Sequence, residues 1–348
     1  MKRGIVYGLA SAVLFGVSTP IAKILVGAVS PLMLAGLLYA GSGAGLLVVL
    51  ACRAITAKGS RSISVPRRSE WGWLAGAILF GGVLGPVALM YGLLETSASA
   101  ASLLLNFEGV FTALLAWFLF HEHFDRRIAA GMLAIVAGGL VLAWAPGDAI
   151  RSGHGALFIA VACLCWALDN NLTRNTSASD AVMIAGLKGA VAGSVNIGLA
   201  VMLGQRVPGI VVVASAAVLG FLGYGVSLVL FVLALRHVGS ARAGAYFSVA
   251  PFFGAAVALA IPGESATPQL IVSGALMAIG VWLHVSERHD HAHVHEYLEH
   301  THSHVHDEHH HHSHETWDDR EPHTHGHVHS PRVHSHPHYP DIHHRHPH

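Results

Sequence analysis

The chain has 348 residues, of which 53% are hydrophobic and only 11% charged, and its 20 Lys and Arg balance 20 Asp and Glu to a formal net charge of zero. A typical soluble domain carries about 25% charged residues, so this composition excludes an ordinary soluble globule and points to a lipid bilayer as the solvent. The zero charge averages an apolar body with a polar, histidine-loaded end, and no nucleic-acid partner is expected.

Crossing about 30 Å of hydrocarbon takes about 20 apolar residues in a helix. Ten stretches meet or approach that length: residues 4–26, 31–52, 71–94, 98–120, 127–145, 155–173, 180–203, 209–235, 239–261 and 268–285. Breakers and charges set their limits, among them Ser30-Pro31, the run from Arg53 to Glu70, Glu95-Thr96, His121 to Arg127, Pro146-Gly147-Asp148, Gln205 to Pro208 and Pro262 to Pro268. The first stretch follows Met1-Lys2-Arg3, which also fits a secretory signal peptide. The lack of a cleavage pattern and a counterpart later in the chain favour a retained span. Cys52, Cys163 and Cys165 lie in or at the ends of these stretches and read as buried filler rather than as a disulfide or a soft-metal clamp.

Laid on itself, the chain repeats. Glu95-Thr96-Ser97-Ala98 matches His237-Val238-Gly239-Ser240, and Phe120-His121-Glu122 matches Pro262-Gly263-Glu264, both at an offset of 142. A second alignment sets Gly4, Phe15-Gly16 and Lys23 on Gly155, Trp166-Ala167 and Arg174. Two halves follow, residues 1–146 and 152–286, each with five spans, ahead of a histidine-rich tail at 287–348. With the N-terminus inside, Lys2, Arg53, Arg67, Arg126, Arg236 and Arg242 collect on the inner side with several others, while Arg151 and Arg206 stand in the outer loops. Positive loops stay cytoplasmic, so both termini are expected inside a cell (inner) membrane, and an odd number of spans per half inverts the second half relative to the first.

The segment Ala100 to Glu122, with its run Phe111-Thr112-Ala113-Leu114-Leu115-Ala116-Trp117-Phe118-Leu119-Phe120-His121-Glu122, and the segment Ser240 to Gly254 resemble the EamA repeats of the drug/metabolite transporter superfamily. The resemblance covers nearly all of residues 1–286; Gly263-Glu264 fits the family's Gly-Glu ending of the fourth span, and His121-Glu122 departs from it at the glycine. It implies an all-α membrane protein, ten transmembrane helices as two inverted five-helix repeats around a central cavity, exporting small metabolites or drugs. A monomer or homodimer is expected, with lipid bilayer and a small-molecule substrate as partners.

Ionisable groups deep in a bilayer are costly, so each is a candidate for function or pairing. Glu108, beside Asn106, falls mid-way in the fourth span, where the second half carries Ala250-Pro251. A carboxylate there would bind a cation or relay a proton; a hydrogen-bonded packing residue is the plain alternative. Asp169, with Asn170 and Asn171, and Lys188 lie at similar depths in the sixth and seventh spans, suited to an ion pair that either gates the inner mouth or simply holds helices together, and Asn196 extends the polar stripe. Arg242 and Tyr246 stand four residues apart on one helical face, fit for an acidic group or for inner-leaflet anchoring. Snorkelling would account for Lys23 and Arg174.

From residue 289 onward, 24 of 60 residues are histidine, in His-x-His runs (His291, His293, His295; His323, His325, His327, His329) and the block His309, His310, His311, His312. So little apolar content supports no packed core, and a disordered tail is expected. Imidazole is a common ligand for divalent transition metals, so the tail is expected to bind Zn, Ni, Co or Cu. Metal as exported cargo, metal as regulator of a metabolite exporter, a metal store and a pH sensor are all compatible with this tail. The spans offer no His pair and no two carboxylates on one face, which favours an organic solute over Ni, Co or Zn efflux. No catalytic motif stands out, so an enzyme is not expected and no cofactor is required.

Overall fold

The computed structural model describes residues 2–56, 67–120, 126–144, 149–173, 180–261 and 263–285, and four short strands within 290–337. Residues 1–287 and 288–348 are two separate compact units. The first is helical: α1 Lys2–Val26, α2 Pro31–Thr56, α3 Trp71–Ala77, α4 Gly85–Glu95, α5 Ala98–Leu104, α6 Phe107–Phe120, α7 Arg126–Ala143, α8 Ala149–Thr173, α9 Ala181–Met202, α10 Ile210–Gly220, α11 Ser227–Phe247, α12 Ala250–Ala258 and α13 Pro268–Val285. Among the described residues eight helical stretches are long and apolar enough to cross a membrane, and two shorter ones, Ala243–Ala258 and Pro268–Leu283, are apolar. Their outer faces carry large exposed apolar side chains, such as Ile55, Met202 and Ile210, which suit contact with lipid rather than water.

Two π-helical segments interrupt otherwise continuous helices. Ile78–Leu84 joins α3 to α4, with the Gly85 N–H reaching Phe80 O five residues back, and Phe221–Val226 joins α10 to α11, with the Ser227 N–H reaching Leu222 O. Two further breaks separate α5 from α6 at Leu105-Asn106 and α11 from α12 at Ser248-Val249. The non-helical boundary expected between 235 and 239 is absent: α11 is helical throughout, because Gly239 and Ser240 are weak breakers and Ser227–Phe247 contains no proline.

Helix pairing sets the layout. The helix α2 packs along α9 and α7 along α13, while α1 lies against α11 and α12, and α8 against α4 and α6. The α2–α9 seam is extensive, for a reason visible in its residues. A methyl group built on Gly43 would stand 2.2 Å from Ala190 N, and one on Gly189 would stand 2.6 Å from Gly43 N. Bare glycines bring the two backbones into contact, which is how helices associate where lipid removes the hydrophobic drive. Small hydroxyls add hydrogen bonds between helices: Ser11 Oγ donates to Ser227 O at 2.7 Å, Ser227 Oγ to Ser11 O at 3.1 Å, and Ser273 Oγ to Gly138 O at 2.5 Å. Lys23 does not snorkel; its ammonium donates to the carbonyl of Leu93 in the last turn of α4, where helix carbonyls lack partners.

In the tail, strands β1 Asp290–His295 and β4 Arg332–Pro337 pair antiparallel, as do β2 Leu298–His304 and β3 His323–His329. The expectation of a disordered tail is corrected to this extent, since strict His-x-His alternation has the period of a strand. A two-stranded ribbon alone is only marginally stable in water. His309, His310, His311 and His312 lie outside the described residues.

Gly189→Val is expected to destabilise the protein by at least about 1–3 kcal/mol, the usual cost of overpacking, whereas Gly198→Ala on the same helix, where an added methyl meets nothing within 4 Å, leaves it near the parent. Thermal unfolding of the two variants in one detergent checks the difference.

Candidate functional site

A polar cluster surrounds the first π segment. The carbonyl of Gly81 accepts from Tyr39 Oη at 2.7 Å and from Trp166 Nε1 at 3.0 Å, and Gly82 O accepts from Asn196 Nδ2 at 3.3 Å. A π segment shifts its carbonyls out of the ordinary ladder, and in a bilayer such groups need protein partners. Asp169 on α8 packs against the same glycine: a methyl on Gly81 would fall 1.9 Å from Asp169 Oδ2. Its carboxylate pairs with the Lys188 ammonium of α9 and accepts from Thr173 Oγ1 at 2.9 Å, so the buried charge is both neutralised and hydrogen-bonded.

Glu108 is the second residue of α6, in its first turn. Asn106, buried at that break, donates Nδ2 to Leu103 O at 2.9 Å, and Cys163 Sγ lies 3.7 and 3.8 Å from the carbonyls of Leu104 and Leu105. The break thus has its own set of local partners, and the positive end of the α6 dipole favours a carboxylate. Asn170 Nδ2 donates to Glu108 Oε1 at 2.9 Å. Around them lies a cavity of about 480 Å³ whose wall includes Asn106, Glu108, Asn170, Phe247, Ser248 and Pro251. First-half and second-half segments therefore share one cavity, which is in the usual size range for a small-molecule site.

A second cavity, of about 410 Å³, is lined by Glu95, Thr96, Ser99, Trp144, Glu264 and Gln269, among others. The helices α7, α8 and α13 line both cavities with opposite ends: Leu142, Ala156 and Leu270 here, against Ile128, Asn170 and Val281 at the Glu108 cavity. Ala156 and Asn170 are about 21 Å apart along α8 at 1.5 Å per residue. The cavities come closest in sequence at consecutive residues, with Leu104 in the wall of this one and Leu105 in the wall of the other. Glu264 closes the start of α5 by accepting the Ala98 N–H at 2.6 Å, the Ser99 N–H at 3.4 Å and the Ser99 hydroxyl.

Of the residues singled out from the sequence, the structure gathers Asn106, Glu108 and Asn170 at one cavity and places Asp169, Lys188 and Asn196 beside the π segment. Tyr246 is outside the cavity wall and packs on Gly8, while the side chain of Arg242 is outside the described residues, as are those of His291, His293, His295, His323, His325, His327 and His329. Among the described residues no three His, Cys, Asp or Glu converge as metal ligands. Sequence reasoning missed Tyr39, Trp166, Thr173, Ser248, Glu95 and Glu264. Tyr39 and Trp166 carried a usable signal, because a hydroxyl or indole N–H in an apolar span must find an internal acceptor.

The profile of the EamA-like transporter family matches this chain twice, at residues 2–144 and 153–286. An uncharacterized transporter of Methanothermobacter thermautotrophicus is 27% identical over 300 residues, 81% of this chain and 87% of that protein. A protein of Pseudomonas aeruginosa (strain UCBPP-PA14) named "Probable 4-amino-4-deoxy-L-arabinose-phosphoundecaprenol flippase subunit ArnE" is 40% identical over 113 residues, 32% of this chain and 93% of its own length. A protein of known crystal structure shares the fold with a TM-score of 0.60 at 19% identity, covering 80% of this chain and 94% of the other.

Breaking the buried pair by Lys188→Met is expected to cost about 3–5 kcal/mol, because Asp169 is left uncompensated, and adding Asp169→Asn is expected to restore most of the loss. Melting temperatures of the single and double variants, purified alike, decide this.

Proposed function

The chain belongs to the EamA-like transporter family, and on that premise we propose that it exports a small organic solute by alternating access through the Glu108 cavity. The observation that carries this reading is a carboxylate placed at a mid-span helix break, in the wall of a cavity shared by both halves. Discontinuous helices at mid-membrane are how many secondary transporters build substrate and ion sites. Proton exchange is the proposed coupling: Glu108 takes a proton on one side and gives it up on the other, with Asn170 as its hydrogen-bond partner. Asp169–Lys188 would gate or brace the same region, and Arg242 and Tyr246 would stand at its inner edge.

An inverted pair of five-span repeats, residues 1–146 and 152–286, is part of this reading. Several observations support it. The π bonds Gly85–Phe80 and Ser227–Leu222 are 142 positions apart, as are Asn106 and Ser248 at the two mid-span breaks. The contacts of α1 with α11 and α12 are mirrored by those of α8 with α4 and α6, and α2–α9 and α7–α13 pair like with like. Pseudomonas relatives of about one half's length match 32% of the chain. The distribution of Lys and Arg supports an orientation with both termini on the cytoplasmic side of the cell membrane, the end near Glu108 inward and the end near Glu95 outward.

The tail is proposed to bind divalent metal, Zn, Ni, Co or Cu, as regulator or store. Support comes from its His-x-His pattern and from the backbone register that sets His300, His302 and His304 opposite His327, His325 and His323. Metal as cargo is the second reading, favoured by the tail alone.

In inverted vesicles supplied with a panel of labelled amino acids, amines and sugars under an imposed proton gradient, Glu108→Gln is expected to lower the initial rate for the transported solute by at least about tenfold, a loss of about 1.4 kcal/mol in the barrier; an unchanged rate overturns the coupling role. Removing residues 289–348 is expected to abolish stoichiometric Ni or Zn retention by the purified protein while transport persists. Cellular Ni, Co and Zn contents that rise in cells lacking the protein would instead establish metal efflux.

A further inference from the structure

The cavity at the other end of the spans has a charge logic of its own. No Lys or Arg is among its described wall residues, nor among those of the Glu108 cavity. Each cavity has one carboxylate with capacity to spare. At the outer end Glu264 is committed to Ala98, Ser99 and the field of Lys23. Glu95 differs: its Oε2 is buried without a hydrogen-bond partner, and so is the hydroxyl of Thr96, a residue only 9% exposed. Buried polar atoms are normally satisfied, so an unmatched carboxylate oxygen in a cavity wall has capacity for a further donor. An anionic solute would be repelled by Glu95, while an ammonium group would supply the missing donor to it, with a charge-assisted bond.

Position links this site to the path. Leu104, 1% exposed, and Leu105, 4% exposed, are the last residue of α5 and the residue in the break, and each faces a different cavity. The two cavities thus approach each other along the chain at the α5–α6 break, where no continuous helix has to be broken to let a solute pass. We infer that the outer cavity is a second station on the path, which holds an organic cation, a solute bearing an ammonium group, against Glu95 after it passes Leu104-Leu105. This rests on the reading that the chain moves its solute through the Glu108 cavity, and it names the solute's class.

Trp144, 81% exposed, stands at the rim of this cavity, where its emission responds to occupancy. The test uses the full chain in lipid nanodiscs, with benzylamine as the cationic probe and benzyl alcohol as its neutral match, and takes the emission change lost in Trp144→Phe as the signal. Benzylamine is expected to give a saturable change and benzyl alcohol none; Glu95→Gln is expected to weaken benzylamine about tenfold, the loss of one charge-assisted contact, and Glu95→Asp to recover most of it, which shows that the fold survives change at this position. Glu108→Gln is expected to leave the Trp144 response within about twofold while it lowers transport. No saturable response, an equal response to benzyl alcohol, or indifference to Glu95→Gln overturns the outer station. A Trp144 response that follows Glu95, combined with transport that ignores Glu108, overturns instead the reading on which it rests.

Discussion

In hydrocarbon, every backbone N–H and C=O has to be satisfied by the protein itself. An unbroken helix does so automatically, and the informative places in this chain are those where the helix is not unbroken. At the first π segment the displaced carbonyls of Gly81 and Gly82 take Tyr39, Trp166 and Asn196 as donors. At the α5–α6 break, Asn106 serves Leu103, and the Cys163 thiol stands against Leu104 and Leu105. The buried amides of Asn106 and Asn196 are accounted for by this requirement.

The same breaks are what allow a carboxylate to face a cavity at mid-span. The positive end of the α6 macrodipole lies beside Glu108, which lowers the cost of a negative charge there. The start of α12 carries Pro251 in its first turn. Among the described wall residues of the Glu108 cavity, Glu108 is the one carboxylate.

Packing around these sites relies on small residues more than on interlocked large ones. Gly43 and Gly189 let α2 and α9 touch backbone to backbone, and Gly81 makes room for Asp169. The reciprocal Ser11–Ser227 bonds and Ser273 to Gly138 tie helices from opposite halves through short hydroxyls. Contacts of this kind are close and numerous yet shallow, the sort of surface along which helices slide. Lys23 on Leu93 and Glu264 on α5, by contrast, are directional ties at one end of the bundle.

Much of the architecture was legible because lipid imposes a crude rule: the apolar stretches of the sequence correspond to the eight long helices and two shorter ones, and rare charges such as Glu108, Asp169 and Lys188 stood out against them. The π segments were not legible, since inserting one residue into a turn leaves hydrophobicity unchanged, and neither was the continuity of α11 through Gly239-Ser240. Partners were hidden for a related reason: Tyr39, Trp166 and Thr173 acquire their roles only when α2, α8 and the Ile78–Leu84 segment meet. By itself the sequence determined where the chain is apolar, where it repeats and which polar groups are out of place in lipid. Tertiary structure alone decided that Asn170 reaches Glu108 and that Glu264 closes α5, because those are distances between segments far apart in the chain, set by how closely bare glycine faces allow the helices to approach.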